Sequence, residues 1–281
     1  MRSILFILTL LVLTNASAQT GFTYNKRFVQ SEDKWVAFSA PKDSSHIFGF
    51  IYIDAQAGLT FDYKGNFTIA ADGKLIPGKP LENGSYKVRL QPNNVQVAWI
   101  PAERYDELGI KDPPDWLHHY KETEDSIGRM VRWGYYYNHW SESAKALTYL
   151  EKAYQLDPNY EGLEFELSYA YNALERFQDA ITVLTKAIPK KPDNCLYYKE
   201  LSYAQIHLDL ISDADLACQK GMEFCPDDAL KCEIAYNIAY RYFKVRDKVN
   251  FERWKKEVKK YGTEGSQFTE NIKIMEKEIA K

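Results

Sequence analysis

The sequence predicts an α+β chain in two parts: a small antiparallel β-sandwich or barrel-like domain, then an α-solenoid of paired helices. Three observations carry this expectation. Up to residue 100, apolar and polar residues alternate in short runs, with turn signals about every ten residues. Beyond that, Pro158, Pro192 and Pro226 stand 34 residues apart, twice in succession. Small residues recur at matching offsets between those prolines.

The N-terminus comes first. Met1-Arg2 gives a positive start, Ile4 to Leu13 is apolar except for Thr9, and Ala16-Ser17-Ala18 supplies small residues before Gln19. This order predicts a secretory signal peptide over 1–18, cleaved before Gln19. The rival reading is a membrane anchor, but a spanning helix needs roughly 20 apolar residues and this run is shorter. No later segment is apolar enough to span a bilayer, so no integral membrane segment is expected in the mature chain. The expected location is periplasmic or extracellular. With 45% apolar residues a packed core is affordable. The net charge of -3, without a Lys- or Arg-rich block, gives no reason to expect nucleic acid as a partner.

Residues 21–100 read as the β domain. Trp35 to Phe38 and His46 to Asp54 are rich in aromatic and β-branched residues, which suit a pleated surface. Leu59, Phe61 and Tyr63 alternate with Thr60 and Asp62. Lys64-Gly65-Asn66 reads as a turn, and Asp72-Gly73 as a second. Tyr86, Val88 and Leu90, then Val95, Val97 and Trp99, read as a pair of strands about Pro92-Asn93-Asn94. Six or seven strands are expected. The stretch holds no metal-spaced cluster, phosphate loop or nucleophile motif, so no catalytic residue, cofactor or metal is assigned.

Residues 101–126 read as a linker and capping helix. Pro101, Pro113 and Pro114 interrupt regular structure. Trp116, Leu117 and Tyr120 are expected on a short helix that caps the solenoid. His118, His119 and Glu122 do not make a metal site, because adjacent histidines point apart and no second cluster completes the ligands.

The helical half divides into units 127–160, 161–194, 195–228 and 229–261, followed by a C-terminal capping helix within 262–281. In register, the eighth position holds Gly134, Ser168 and Ser202. The twentieth holds Ala146, Ala180 and Ala214, and the twenty-seventh Ala153, Ala187 and Gly221. The seventh position is large and apolar: Trp133, Leu167 and Leu201. With the prolines at position thirty-two, these residues resemble the tetratricopeptide repeat family. The likeness covers about residues 127–261 and does not include the β domain. Small residues let the two helices of a unit interlock, and stacking completes the core. The fourth unit departs: Lys248 and Lys255 stand where alanine is expected. Phe251, Trp254 and Val258 form one apolar stripe, so its lysines read as a solvated terminal face.

The resemblance implies a concave groove lined by the first helices, with positions five, nine and twelve pointing into it. Position five holds Val131, Phe165, Lys199 and Glu233. Position nine holds Tyr135, Tyr169, Tyr203 and Asn237; position twelve holds Asn138, Asn172, Ile206 and Tyr240. Tyrosine gives large contact area at low entropic cost, and asparagine can bond an extended backbone. These residues are candidate peptide-binding positions; the competing reading is that the tyrosines are packing residues. The family's carboxylate clamp is not implied, because Val131 and Phe165 stand where polar residues are needed.

The four cysteines of an exported chain allow disulfides, and Cys195–Cys225 with Cys218–Cys232 are the expected pairs. A buried free thiol at Cys218 is the alternative. The function expected is that of an exported, non-catalytic adaptor or scaffold whose partner is a protein or peptide. Two alternatives stay open: an enzyme with a site in the β domain or the interdomain joint, and a structural component of an envelope assembly.

Overall fold

A computed structural model describes residues 22–41, 44–79, 86–121 and 126–279. The expected signal peptide lies outside them. The chain divides into two compact units at residue 122, each with its own packing.

The first unit is built on one antiparallel sheet. Its strands are β1 (Lys26–Arg27), β2 (Lys34–Phe38), β3 (His46–Asp54), β4 (Gly58–Ile69), β5 (Leu75–Pro77), β6 (Tyr86–Arg89) and β7 (Gln96–Trp99). The order is β1-β7-β2-β3-β4-β5, with β6 also paired to β4. The sheet is not closed, so the expected sandwich or barrel is replaced by a single open layer. Both faces of that layer are nevertheless covered. On one face Trp35, Phe48, Phe50, Tyr52 and Phe67 pack with Ile100, Leu108, Ile110 and Leu117. On the other, Phe28 meets Phe38, which in turn meets Phe61 edge-on at 5.1 Å. This is why Phe48 to Ile53 of β3 are buried without a break: a continuous apolar run suits a strand covered on both sides.

Three expectations are corrected here. Lys64-Gly65-Asn66 is not a turn; β4 runs through it, and Lys64 is the extra residue of a bulge between the pairs Phe48–Gly65 and Gly49–Tyr63. Gly49 permits this closeness, since a Cβ there would lie 2.2 Å from the Asp62 backbone oxygen. β6 and β7 are not partners: β6 pairs with β4, and β7 lies between β1 and β2. Interior placement buries adjacent Val97 and Ala98 of β7, whereas all four residues of edge strand β6 are exposed. The segment with α1 (Tyr105–Leu108) and α2 (His118–Lys121) belongs to the sheet's own core. Trp35 fixes it by donating its indole N–H to the Lys111 carbonyl at 2.8 Å. Leu117 is therefore part of the sheet's core.

The second unit is a row of helix pairs: α3 (Ile127–His139) with α4 (Ser143–Leu156), α5 (Leu163–Ala173) with α6 (Phe177–Ala187), α7 (Cys195–His207) with α8 (Ile211–Phe224), and α9 (Asp228–Lys244) with α10 (Lys248–Tyr261). α11 (Gln267–Ile279) packs on α9 and α10. The small positions are where the helices close: Ala146, Ala180 and Ala214 are all fully buried, and a Cβ on Gly134 would meet the Leu150 side chain at 2.3 Å. Each pair turns through a left-handed residue at the same place, Ser141, Glu175, Asp209 and Arg246, with φ between 58° and 62°. Ser126, Asn194, Asp227 and Asp247 cap α3, α7, α9 and α10 by accepting backbone N–H bonds. α6 stops at Ala187, ahead of Pro189, and is shorter than α4 and α8.

The lysines of α10 are only in part a free terminal face: Lys256 and Lys260 are exposed, but two others are tied to their neighbours. Lys255 is nearly buried and pairs with Glu252 and with Glu276 of α11, at 2.5 and 2.7 Å; Lys259 also reaches Glu276 at 2.9 Å. Behind them Asp215 anchors three elements. It accepts bonds from Tyr242 at 2.5 Å, the Trp254 indole at 3.1 Å, Gln219 at 2.7 Å and the Arg253 guanidinium. Burial raises this carboxyl's pKa, but those donors outweigh burial and hold it below its ordinary value.

Cys195 at the start of α7 and Cys225 after α8 are disulfide-bonded, with Cα atoms 4.9 Å apart. The expected Cys218–Cys232 pair is corrected: both are free and buried. Cys232 Sγ points at the Val258 carbonyl of α10, 3.9 Å away, while Cys218 bonds with Ser202 of α7, so they face different helix contacts. The bridge closes a loop with a sequence separation of 30. A loop of that length gives about 3–4 kcal/mol of stabilisation in the chain-entropy account. Denaturant unfolding with and without reductant should show a loss of that order, and thiol titration of the unfolded, unreduced chain should find two free thiols. Four free thiols would contradict the bridge.

Candidate functional site

The groove is built from the first helices of the pairs, α3, α5, α7 and α9. Their side chains divide into those that hold the helices together and those left facing outward.

Asn138 and Asn172 belong to the first group. Asn138 on α3 donates its Nδ2 to the Glu166 carbonyl at 3.0 Å and to Glu166 Oε2 at 2.8 Å. Asn172 on α5 repeats this with Glu200, at 3.0 and 2.9 Å. Both pairs have a sequence separation of 28. One unit further, the corresponding residues are Ile206 and Ile234, packed in the apolar core of the last units. The polar pair is thus exchanged as a pair for an apolar one, which avoids leaving either partner unsatisfied. Asn138 is 3% and Asn172 5% exposed. Asn138 is accordingly corrected from peptide-binding residue to inter-repeat tie, and Asn172 does the same work at the groove wall.

Glu166 shows the cost of this tie. Burial is the largest influence and raises its carboxyl pKa; the Asn138 bond works against that, and nearby Glu200 adds to the rise.

The tyrosines also divide. Tyr137, Tyr171, Tyr197 and Tyr242 are buried packing residues, and Tyr171 donates to Glu151 at 3.0 Å. Tyr135, Tyr169 and Tyr240 are exposed, by 45%, 37% and 44%, and Tyr203 is half-buried. A cavity of about 230 Å³ is lined by Tyr169, Asn172, Lys199, Glu200, Tyr203, Glu233 and Asn237. A second, of about 220 Å³, is lined by Tyr203, Ile206, His207, Asp209, Asn237, Tyr240, Arg241 and Lys244. Tyr203 and Asn237 belong to both. Of the candidate positions, Tyr169, Asn172, Lys199, Tyr203, Asn237 and Tyr240 are brought together, whereas Tyr135, Asn138 and Phe165 do not line these cavities. Phe165 packs on the Leu184–Tyr197 core instead.

Sequence reasoning missed Glu200, His207 and Arg241. His207 stacks on Phe177 at 4.6 Å and touches Tyr203 at 4.5 Å, which fixes the tyrosine ring. Lys199 lies between Glu200 at 3.2 Å and Glu233 at 3.1 Å. Burial alone would lower its pKa, but the two carboxylates outweigh that and keep the ammonium charged. The repeated 28-residue Asn–Glu spacing was the available signal for Glu200; nothing local in the sequence pointed to the ring stack.

The first unit carries a larger cavity, about 670 Å³, between β4, β6 and α1, lined in part by Phe48, Asp62, Lys64, Asn66, Lys79 and Trp116. Its described lining holds one carboxylate and no histidine, cysteine or serine. Lys87 at its wall is already engaged, donating to the Tyr120 hydroxyl at 2.9 Å beneath three aromatic rings. Among the described residues no group of three or more histidine, cysteine or acidic side chains is placed to hold a metal. No helix among them is long and apolar enough to cross a membrane.

With this geometry in view, comparison with known proteins is informative for the helical half. Residues 142–206 match the family model of the tetratricopeptide repeat. No curated protein matches the sequence. Among solved structures, the chain is similar to one named MamA MSR-1 C2, at 18% identity and a TM-score of 0.42, covering 60% of this chain and 90% of that one. It is also similar to a thermophilic TPR protein in Thermus thermophilus, at 15% identity and a TM-score of 0.47, covering 62% of this chain and 91% of that one. Likenesses at these scores carry no functional argument.

Replacing Glu166 by Gln tests the tie. A glutamine oxygen still accepts from Asn138 but carries no buried charge. Glu166 has a raised folded pKa, so its ionised form costs stability as pH rises through that value. E166Q should therefore match the wild type near pH 4 and become the more stable of the two, by about 1 kcal/mol, at pH 7–8. A variant less stable at pH 8 than at pH 4, relative to wild type, would contradict this; thermal unfolding at both pH values decides.

Proposed function

We propose that this chain is an exported, non-catalytic adaptor that holds a protein or peptide segment in the groove formed by α5, α7 and α9. Tetratricopeptide structure is that of a protein-interaction scaffold. The observation that carries the finer reading is the pair of adjoining cavities floored by Tyr203 and Asn237, with Tyr169 and Tyr240 exposed at either end. Exposed tyrosines with fixed rings, next to amide and charged groups, are the composition of a protein-recognition surface.

Export is supported by two independent features. The first 18 residues have the order of a secretory signal. The Cys195–Cys225 bridge needs an oxidising compartment to persist. Together they favour the periplasm or the exterior.

The test is the affinity of the full chain for the segment it captures, with Tyr169, Tyr203 and Tyr240 changed together to Ala. Loss of about tenfold or more in Kd is expected, because central aromatic contacts dominate such interfaces. Unaltered binding by a variant with native circular dichroism would remove the groove from the account.

A further inference from the structure

The two groove cavities differ in charge, and the difference has a direction. Around the first, one cation, Lys199, faces two carboxylates, Glu200 and Glu233. Around the second, two cations, Arg241 and Lys244, face one carboxylate, Asp209. Arg241 is held in place by Asp209 at 2.5 Å, yet its Nε is buried and has no partner among the described residues. Lys244 lies 6.0 Å from the centre of the Tyr240 ring and makes no ion pair among the described residues. One end of the groove therefore carries an excess of negative charge and the other an excess of positive charge, with Arg241 positioned by Asp209 and Lys244 beside it.

The separation of the two ends follows from helix geometry. Glu233 and Arg241 are both on α9. Their eight-residue spacing is about 12 Å along the axis, at 1.5 Å per residue. An extended chain covers that distance in about three to four residues, at roughly 3.3 Å each.

We propose that the segment recognised by this groove carries charges of both signs: a basic side chain against Glu233, and an acidic side chain on Arg241 and Lys244, three to four residues away. This rests on the groove reading above. The acidic side chain pairs with the solvent-facing part of the Arg241 guanidinium and with Lys244 through charge-assisted hydrogen bonds. The arrangement also rejects as well as attracts. A doubly acidic segment sets a carboxylate against Glu233, and a doubly basic one sets an ammonium against Arg241. Tyr203 and Asn237, between the ends, take the intervening residues without regard to charge.

The experiment uses the full chain and four capped, labelled nine-residue peptides with one Gly-, Asn- and Tyr-containing host sequence. Two positions four apart carry Lys and Glu, Lys and Lys, Glu and Glu, or Gln and Gln. The mixed peptide should bind about three- to tenfold tighter than either like-charged peptide at low salt, the size expected of partly exposed ion pairs. Arg241→Glu should move the preference to the Lys and Lys peptide; Lys244→Glu, at an exposed site, serves if the first variant does not fold. Binding that ignores charge, or a preference unchanged by either variant, overturns the inference and leaves the groove reading standing. Failure of all four peptides to bind the folded wild type overturns both.

Discussion

The Asn–Glu tie between successive first helices is the contact that orders the stack from α3 to α7. Small residues bring the two helices of each pair together, but they leave the spacing between pairs open. Asn138 and Asn172 close it by bonding both the backbone and the side chain of the next unit's glutamate. Each bond fixes one first helix against the next at the same height. The outward residues Tyr135, Tyr169 and Tyr203 then fall into line, and Tyr203 meets Asn237 of α9 in both cavities. The tie uses a buried carboxylate, so its strength comes with a desolvation cost, visible in the raised pKa of Glu166.

The last units solve the same problem differently. Ile206 and Ile234 replace the amide and the carboxylate, and the load passes to Asp215 and to the Cys195–Cys225 bridge. An Ile–Ile contact makes no side-chain hydrogen bond. Arg241 and Lys244 are the charged groups that face the second cavity, with only Asp209 opposite. The first helices are therefore joined by polar ties at one end of the stack and by an apolar contact beneath a charged surface at the other.

How much of this was legible in the sequence depended on range. The repeats were legible because their signals are periodic: the prolines, the alanines and Gly134 each mark a backbone constraint that recurs every unit. The strands were legible for the same reason, through alternation. Their pairing was not, because nothing local distinguishes a turn from a bulge at Lys64, or tells β6 that its partner is β4 rather than β7. Leu117 and Trp116 read as a cap because an apolar helix does not declare which surface it covers. In the groove, the repeat register with the family resemblance put Tyr169, Tyr203, Asn237 and Tyr240 on one face, and they line the two cavities. Asn138 was not legible in this way, since its partner lies 28 residues away and an amide looks the same whether it serves a ligand or a neighbour. Cys218 and Cys232 failed as a pair for a related reason: equal helical spacing does not fix which contact a side chain enters.

Oxidative footprinting of the tyrosines, with and without bound partner, tests the central claim most directly. Tyr169, Tyr203 and Tyr240 line the cavities, while Tyr86 is exposed on β6 of the other unit and serves as the internal reference. The account predicts that the partner protects the three groove tyrosines and leaves Tyr86 as reactive as before. Protection of Tyr86 with unchanged oxidation at Tyr169, Tyr203 and Tyr240 would place the binding surface on the sheet and contradict it.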